Sequence, residues 1–204
     1  MVVVFFSSLA AVIVGVSQFQ YIFYLIHNHL ILNKTTWFIS ATVMVLSASS
    51  YFNVVKSGNP IIATSSIVTA ICFIFIFIYA LLRGKLASLS KIDAILLVIA
   101  SIGVMVWKIT GNDSMASAVF QATLFISFIP TAIGLTKGSL KEKAAPWLVG
   151  VFAGVFSTIA VLFAYGTKNP VALSYPIITM LINGTIAILA FLQGRKILPL
   201  PTRY

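Results

Sequence analysis

Polar side chains recur at regular spacing inside an apolar stretch near the C-terminus. Tyr175, Thr179 and Asn183 are four residues apart within residues 169–194, a run that contains no charged residue. On a helix this spacing places the three side chains on one face. Hydroxyl and amide groups are costly in hydrocarbon, so the stripe could hydrogen-bond a small polar solute. The alternative is that these groups bond neighbouring backbone and hold helices together.

A second stripe has the same spacing in the third apolar run, where Ser65, Thr69 and Phe73 follow one another. Two facing stripes with hydroxyls, an amide and aromatic rings would suit a small neutral polyol or a nucleoside-like solute. In the first run, Gln20 and Tyr21 are further candidates to line a cavity. The predicted substrate-binding residues are therefore Asn183, Thr179, Tyr175, Thr69, Ser65, Gln20 and Tyr21.

Groups suited to catalysis or metal binding are few. The three acidic residues, Asp93, Asp113 and Glu142, lie at the edges of apolar runs or in predicted loops, and His27 and His29 have a spacing that places no two ligands on one helix face. Acid–base catalysis and metal binding both need several such groups together. We therefore predict that the chain is not an enzyme and has neither a metal site nor a cofactor.

The elements that must position these residues are membrane helices. Apolar residues make up 60% of the chain and charged residues 8%, and the mean hydropathy is +1.10, which leaves too little polar surface for a soluble globule. Spanning helices need about 20 apolar residues. Six of the uncharged runs reach that length and residues 94–107 fall short; the runs are 1–33, 35–55, 57–82, 94–107, 114–136, 144–167 and 169–194. The composition predicts an all-α integral membrane protein with seven transmembrane helices.

The basic residues predict how the helices are oriented. The net charge of +10 is scattered through short loops rather than grouped into a face, which argues against a nucleic-acid partner. Threading seven helices places ten basic residues on one side and only Lys56, Lys108 and Lys168 on the other. Because cytoplasmic loops carry the excess of Lys and Arg, the N-terminus is predicted outside and the C-terminus in the cytoplasm.

An internal repeat relates the two halves of the chain. A shift of 110 residues aligns residues 17–85 with 127–195 without a gap, and 15 of the 69 positions are identical. The matches include Trp37 with Trp147, predicted here as interfacial anchors, and Asn59-Pro60 with Asn169-Pro170, predicted to open helices in the same way. Chance coincidence in apolar sequence is the alternative, but Trp, Asn and Pro are too rare here to coincide easily.

The repeat divides the chain into a first three-helix unit (1–85), a linker helix (86–110) and a second three-helix unit with a short C-terminal tail (111–204). Two directly joined three-helix units would be inverted. One additional spanning helix restores the direction, which predicts two parallel three-helix bundles related by an axis along the membrane normal.

This arrangement resembles the SWEET sugar transporters and their PQ-loop relatives, with Pro130 and Pro146 flanking a loop in the second half. The relatives' proline–glutamine pair is absent because Thr131 follows Pro130, and Gln20 and Thr36 occupy the equivalent first-half positions. The resemblance implies a carrier that works by alternating access, with Pro130 and Pro146 as gating positions. A proline inside a long helix also predicts a kink at Pro130.

Together these features predict facilitated diffusion of a small neutral polar solute, sugar-like, because no carboxylate lies inside an apolar run to exchange protons. Two alternatives remain open: a vitamin- or nucleoside-type carrier of the nicotinamide riboside class, and a non-transporting subunit of a membrane complex. The expected partners are the solute and the lipid bilayer, and a homo-oligomer is possible.

Overall fold

The computed structural model describes residues 1–27, 34–56, 59–83, 91–195 and 197, and within them it contains helices and no strand. A short 3-10 turn, Pro60–Ala63, precedes the third helix. The helices are α1 (Val2–Ile26), α2 (Lys34–Val55), α3 (Thr64–Arg83), α4 (Lys91–Thr110), α5 (Asp113–Ser127), α6 (Ile129–Thr136), α7 (Ala144–Tyr165) and α8 (Pro170–Gly194).

Some predicted features lie outside the described residues. They are the boundary at residues 85 and 86, the end of the C-terminal tail, His29 and the side chains of Lys34, Thr36, Arg83, Lys85, Lys91, Asp93, Lys196 and Arg203.

Six described stretches are long and apolar enough to cross a membrane, namely Val2–Ile26, Trp37–Val55, Pro60–Leu82, Asp113–Thr136, Ala144–Tyr165 and Pro170–Gly194. The part of α4 from Leu97 to Thr110 is a shorter apolar helix. Large apolar side chains such as Phe19, Phe75 and Phe163 point away from the bundle and are exposed. An apolar exterior on long helices supports the predicted all-α, multi-pass membrane protein.

Both Asn-Pro pairs open helical segments as predicted, but the first opens the 3-10 turn before α3 and the second opens α8 directly. The Asn59 side chain accepts a hydrogen bond from the Ile61 amide at 3.3 Å, and Asn169 accepts one from the Ala172 amide at 3.0 Å. Proline follows each asparagine in the first turn, where no amide hydrogen is needed. Because these side chains satisfy amides that the helix itself leaves free, both helices start at defined positions.

The fifth apolar run is broken near its end, as predicted from Pro130. Helix α5 ends at Ser127, α6 begins at Ile129, and Pro130 lies in the first turn of α6. Proline has no amide hydrogen to donate to the preceding turn, and its ring crowds the carbonyl four residues earlier, so a break is favoured at this position.

The helices form one bundle in which α1 packs against α3 and α7, α2 against α3 and α5, and α8 against α7 and α5. Helix α4 lies outside, against α5 and α2. Contacts between helix termini define two ends. At one end α1, α6 and α8 finish and α2 and α7 begin; we call it the Glu142 end, because Glu142 lies there just before α7.

Candidate functional site

A small cavity lies between α1, α2, α3, α5, α7 and α8 in the centre of the bundle. About 50 Å³ of it is open to the centre of a water molecule, which is room for a few waters. Its polar lining consists of Ser17, Gln18, Tyr21, Thr69, Tyr175, Thr179 and Asn183. A solute the size of a sugar would require the walls to move apart.

Most of the residues predicted for binding meet at this cavity. Asn183, Thr179, Tyr175, Thr69 and Tyr21 line it, and Pro146 does so as well. The five predicted binding residues come from α1, α3 and α8, which are far apart in sequence. The stripes predicted on α3 and α8 therefore face a common space.

Three predicted positions lie elsewhere. Ser65 is in the first turn of α3, and its hydroxyl is 3.3 Å from that of Ser157 on α7, so it joins two helices. The side-chain oxygen of Gln20 is buried and has no hydrogen-bond partner among the described residues, but Gln20 is not part of the lining. Pro130 lies at the break between α5 and α6, away from the lining.

The stripe on α8 is bonded to its own helix. The Thr179 hydroxyl donates to the Tyr175 carbonyl at 2.9 Å, and the Asn183 amide nitrogen donates to the Thr179 carbonyl at 2.8 Å. A hydroxyl that donates in this way keeps its lone pairs, so Thr179 can still accept a hydrogen bond from a ligand. The backbone bonds of the alternative are therefore present at Thr179 and Asn183, and solute binding by the same side chains stays a prediction.

Asn183 is held against α7 at a glycine. A β-carbon built on Gly150 would lie 2.5 Å from the Asn183 Oδ1 atom and 2.8 Å from its Cγ atom. Gly150 thus gives the asparagine amide the space that it occupies at the cavity wall. Gly154, one turn further on, makes room for Met180 in the same way. Gly150 and Gly154 therefore let α8 approach α7 closely, as small residues do between membrane helices.

Five aromatic side chains close into a ring that we call the aromatic collar: Tyr21, Trp37, Phe73, Phe128 and Trp147. Successive ring centroids are 5.3, 5.1, 6.2, 5.7 and 5.5 Å apart, in the order given and back to Tyr21. All five side chains line the cavity. The spacings are those of favourable aromatic contacts, so the collar is a packed unit rather than a set of separate side chains.

The prediction of Trp37 and Trp147 as interfacial anchors is wrong. Only 4% of Trp37 and 6% of Trp147 is exposed, and both rings pack inside the bundle. Each tryptophan comes at the start of a helix, where an anchor is common, but here the side chain points into the bundle and contacts aromatic residues of other helices.

Glu142 lies directly behind the collar. It precedes α7 and is 5% exposed; the Tyr21 hydroxyl donates to its Oε1 atom at 2.9 Å, and the Trp147 indole donates to its Oε2 atom at 3.1 Å. Nearby, the Ser17 hydroxyl donates to the Pro146 carbonyl at 2.7 Å. Burial raises the pKa of the Glu142 carboxyl to about 7, and the hydrogen bonds from Trp147 and Tyr21 oppose that rise.

The sequence did not indicate this role for Glu142. It is placed between α6 and α7 as predicted, but it is buried rather than solvated. Its neighbours Lys141 and Lys143 are typical of a surface loop, and its partner Tyr21 is 121 residues away. One local signal was available: Glu142 is the single acidic residue among three lysines, Lys137 included.

Hydrogen bonds also join helices towards the opposite end of the bundle. The Tyr51 hydroxyl donates to the Ala172 carbonyl at 3.0 Å, and the Tyr165 hydroxyl donates to the Val55 carbonyl at 2.8 Å. The collar therefore lies towards one end of the bundle and these tyrosine contacts towards the other.

A buried polar cluster joins α5 to α8 between these two ends. Fully buried Gln121 donates to the Ser117 hydroxyl at 2.7 Å and accepts from the Ser174 hydroxyl at 2.5 Å. Sequence reasoning did not single out these residues, because Gln121 belongs to neither stripe. Their hydrogen bonds are satisfied within the cluster, so we assign them to helix packing.

Groups of three or more His, Cys, Asp or Glu side chains placed to hold a metal ion do not occur in the part of the chain that the structure describes.

Comparisons of the chain with protein-family models, with curated proteins and with solved structures find no match. The roles proposed for the cavity residues rest on their positions and contacts.

Proposed function

We propose that this chain is a membrane carrier that moves a small, neutral, sugar-like solute by alternating access, with the central cavity as its binding site. The observation that carries the proposal is the relation of the cavity to the internal repeat. Four pairs of residues that the repeat aligns line the cavity: Gln18 and Phe128, Trp37 and Trp147, Thr69 and Thr179, and Phe73 and Asn183.

Equivalent residues of the two repeats line the same cavity when that cavity lies on the axis that relates the repeats. The helix packing supports the same symmetry. Exchanging α1 with α5–α6, α2 with α7 and α3 with α8 converts the α1–α7 contact into α5–α2 and the α2–α3 contact into α7–α8. Under this proposal α5 and α6 count as one span and α4 is the linker, which gives seven spans in two parallel bundles. Carriers built from repeats bind their solutes at such interfaces.

The lining favours a neutral polar solute. Among the described lining residues there is no lysine, arginine, aspartate or glutamate. Thr69, Thr179 and Asn183 offer hydroxyl and amide groups in an otherwise apolar site, which suits hydroxyl groups on a ligand. The Glu142 carboxylate is separated from the cavity by Tyr21 and Trp147, which donate hydrogen bonds to its two oxygen atoms.

We assign gating to the Glu142 end. Pro130 interrupts the helix before the 137–143 loop, and Pro146 opens α7 after it, with its carbonyl bonded to Ser17 on α1. Separation of α1 from the start of α7 would open this end of the cavity. With the orientation predicted from the basic residues, it faces the cytoplasm, and transport runs down the solute gradient.

A second candidate is a carrier for a nucleoside-like or vitamin-type solute, and the aromatic collar favours it. Tyr21, Trp37 and Trp147 present ring faces and edges on which a flat heteroaromatic ring would stack.

Uptake into proteoliposomes tests both candidates. Purified protein would be assayed with labelled hexose, disaccharide, nucleoside and nicotinamide riboside. The variant Thr179→Val should lower uptake of the transported solute at least tenfold. Thr42→Val is its matched control, because both hydroxyls donate to the carbonyl four residues earlier at 2.9 Å, but Thr42 is exposed on the outer face of α2.

Saturable uptake of a sugar supports the first candidate, and uptake of a nucleoside or of nicotinamide riboside supports the second. Equal losses in Thr179→Val and Thr42→Val would remove the α8 stripe from the site. Absence of uptake for the whole panel would count against the carrier proposal itself.

A further inference from the structure

The Glu142 carboxyl group joins three parts of the molecule. It belongs to the 137–143 loop, receives a hydrogen bond from Tyr21 on α1 and receives another from Trp147 on α7. Both donors are members of the aromatic collar. The carboxyl group therefore cannot leave its buried position without releasing two of the side chains that close this end of the cavity.

Two opposing effects act on the charge of this carboxyl group. Burial disfavours the ionised form, because a buried carboxylate loses its hydration. The phenol and the indole favour it, because hydrogen bonds to an ionised acceptor are the stronger ones. Neither donor is a cation, so no full opposite charge offsets the burial at these two contacts.

We propose that Glu142 is a proton-binding site that controls the opening of the cavity at its own end. With the proton bound, the neutral carboxyl group stays buried and the collar is closed; when the proton leaves, the carboxylate moves to water and the collar opens. This inference rests on the proposed carrier function, because opening the collar matters only if a solute passes it.

The direction of the effect follows from proton linkage. The pKa of the buried carboxyl is about 7, whereas a water-exposed glutamate has the ordinary value of 4.5. The closed form therefore holds the proton more tightly than an open form does. Between these two pH values, each unit of acidification favours the closed form by up to tenfold, and the change from pH 7 to pH 5 is about fortyfold.

The other ionisable groups around this end leave that direction unchanged. Tyr21 on α1 is in direct contact, whereas α7 contributes only the uncharged Trp147 and Pro146. Lys141, next to Glu142 in the chain, is half-buried, and so are Tyr24 on α1 and Tyr79 on α3; Lys137, Lys143, His27 and Arg195 are exposed. The positive charge of the lysines and of Arg195 is available to a carboxylate that has moved outward, which favours the ionised, open form.

Tryptophan fluorescence tests the proposal without any solute. The chain has three tryptophans, and Trp107→Phe leaves only Trp37 and Trp147, which are both in the collar. In this parent protein, the acrylamide quenching constant should rise at least threefold between pH 4 and pH 8.5, with a midpoint between about 4.5 and 7. Adding Glu142→Gln, which carries no titratable proton, should keep quenching low at every pH.

Asp113→Asn is the matched control. Asp113 is the carboxylate at the opposite end of the bundle, where it accepts hydrogen bonds from Asn53 and Trp107 at 2.9 and 2.8 Å, and the parent protein keeps the first of these. Because Asp113 is remote from the collar, its replacement should leave the pH response intact. Tyr21→Phe supplies a second test that does not depend on the folding of Glu142→Gln. Removing a hydrogen bond that only the closed form makes should weaken the closed form and move the midpoint to lower pH.

Quenching that does not change with pH in the parent protein, or that changes equally in Glu142→Gln, would overturn the proposal. An unchanged midpoint in Tyr21→Phe would also count against it. Because the measurement contains no solute, its failure is distinct from that of the carrier proposal, which fails through the absence of uptake.

Discussion

The contact between Gly150 and Asn183 makes a quantitative prediction about the wall of the cavity. In Gly150→Ala the new methyl group would lie 2.5, 2.8 and 3.1 Å from the Oδ1, Cγ and Nδ2 atoms of Asn183. All three atoms belong to the end of a flexible side chain, so the asparagine should rotate rather than the helices separate. Rotation breaks the 2.8 Å bond from its amide to the Thr179 carbonyl.

Each variant is expected to lower the free energy of unfolding by a different amount. Overpacking of this kind typically costs about 1–3 kcal/mol. Asn183→Ala removes one hydrogen bond, worth on average about 0.6 kcal/mol between membrane helices. The double variant has no asparagine amide for the methyl group to meet. Its cost should therefore fall below the sum of the single costs by about 1 kcal/mol or more.

The assay is unfolding of the detergent-purified protein by a denaturing detergent, followed by circular dichroism, for the wild type, both single variants and the double variant. Gly184→Ala on α8 is a suitable control, because a β-carbon there would meet only Val151, at 3.9 Å. Single costs that add to within about 0.5 kcal/mol would show that Gly150 and Asn183 are not in contact, and the arrangement of α7 and α8 described here would be wrong.

Three further predictions concern orientation, gating and pH. The orientation is tested with single cysteines on a Cys72→Ser background and an impermeant thiol reagent applied to intact cells. A cysteine that replaces exposed Lys168 should react, and one that replaces exposed Lys137 should not. The reverse pattern would contradict the predicted orientation. Pro130→Ala should slow transport more than it weakens solute binding, because proline offers a solute no hydrogen-bond donor; equal losses in rate and affinity would reject a role in gating. The free energy of unfolding should decrease as pH rises from 4.5 to 7, by roughly 3 kcal/mol at most, because the folded chain retains a proton on Glu142 that the unfolded chain has released. Unfolding measured across this pH range tests the prediction. If Glu142→Gln shows the same decrease, the pH dependence belongs to another group.

Local features of the fold were predictable from the sequence. The starts at Asn59 and Asn169 and the break at Pro130 depend on chemistry within one helical turn, so the residues themselves specify them. The face of α8 that carries Tyr175 and Asn183 follows from helical spacing alone.

Contacts between distant helices were not predictable in this way. Ser65 is four residues before Thr69 on the same face of α3, but at its level in the bundle α3 contacts Ser157 of α7 instead of the cavity. Gln20 adjoins Tyr21 in sequence, yet consecutive residues point about 100° apart on a helix, so only Tyr21 reaches the collar. The burial of Glu142 depends on packing against α1, which its lysine-rich surroundings in the sequence do not reveal.

The measurement that tests the central claim most directly is solute flux through the Asn183→Ala variant. With the solute identified in proteoliposomes, wild-type uptake should be saturable, and it should persist when a protonophore is added and when sodium is replaced by potassium. Asn183→Ala should remain folded and lose at least nine-tenths of that uptake, because its amide lies on the wall of the only site proposed for the solute. Undiminished uptake by a folded Asn183→Ala protein would show that the solute does not pass through this cavity.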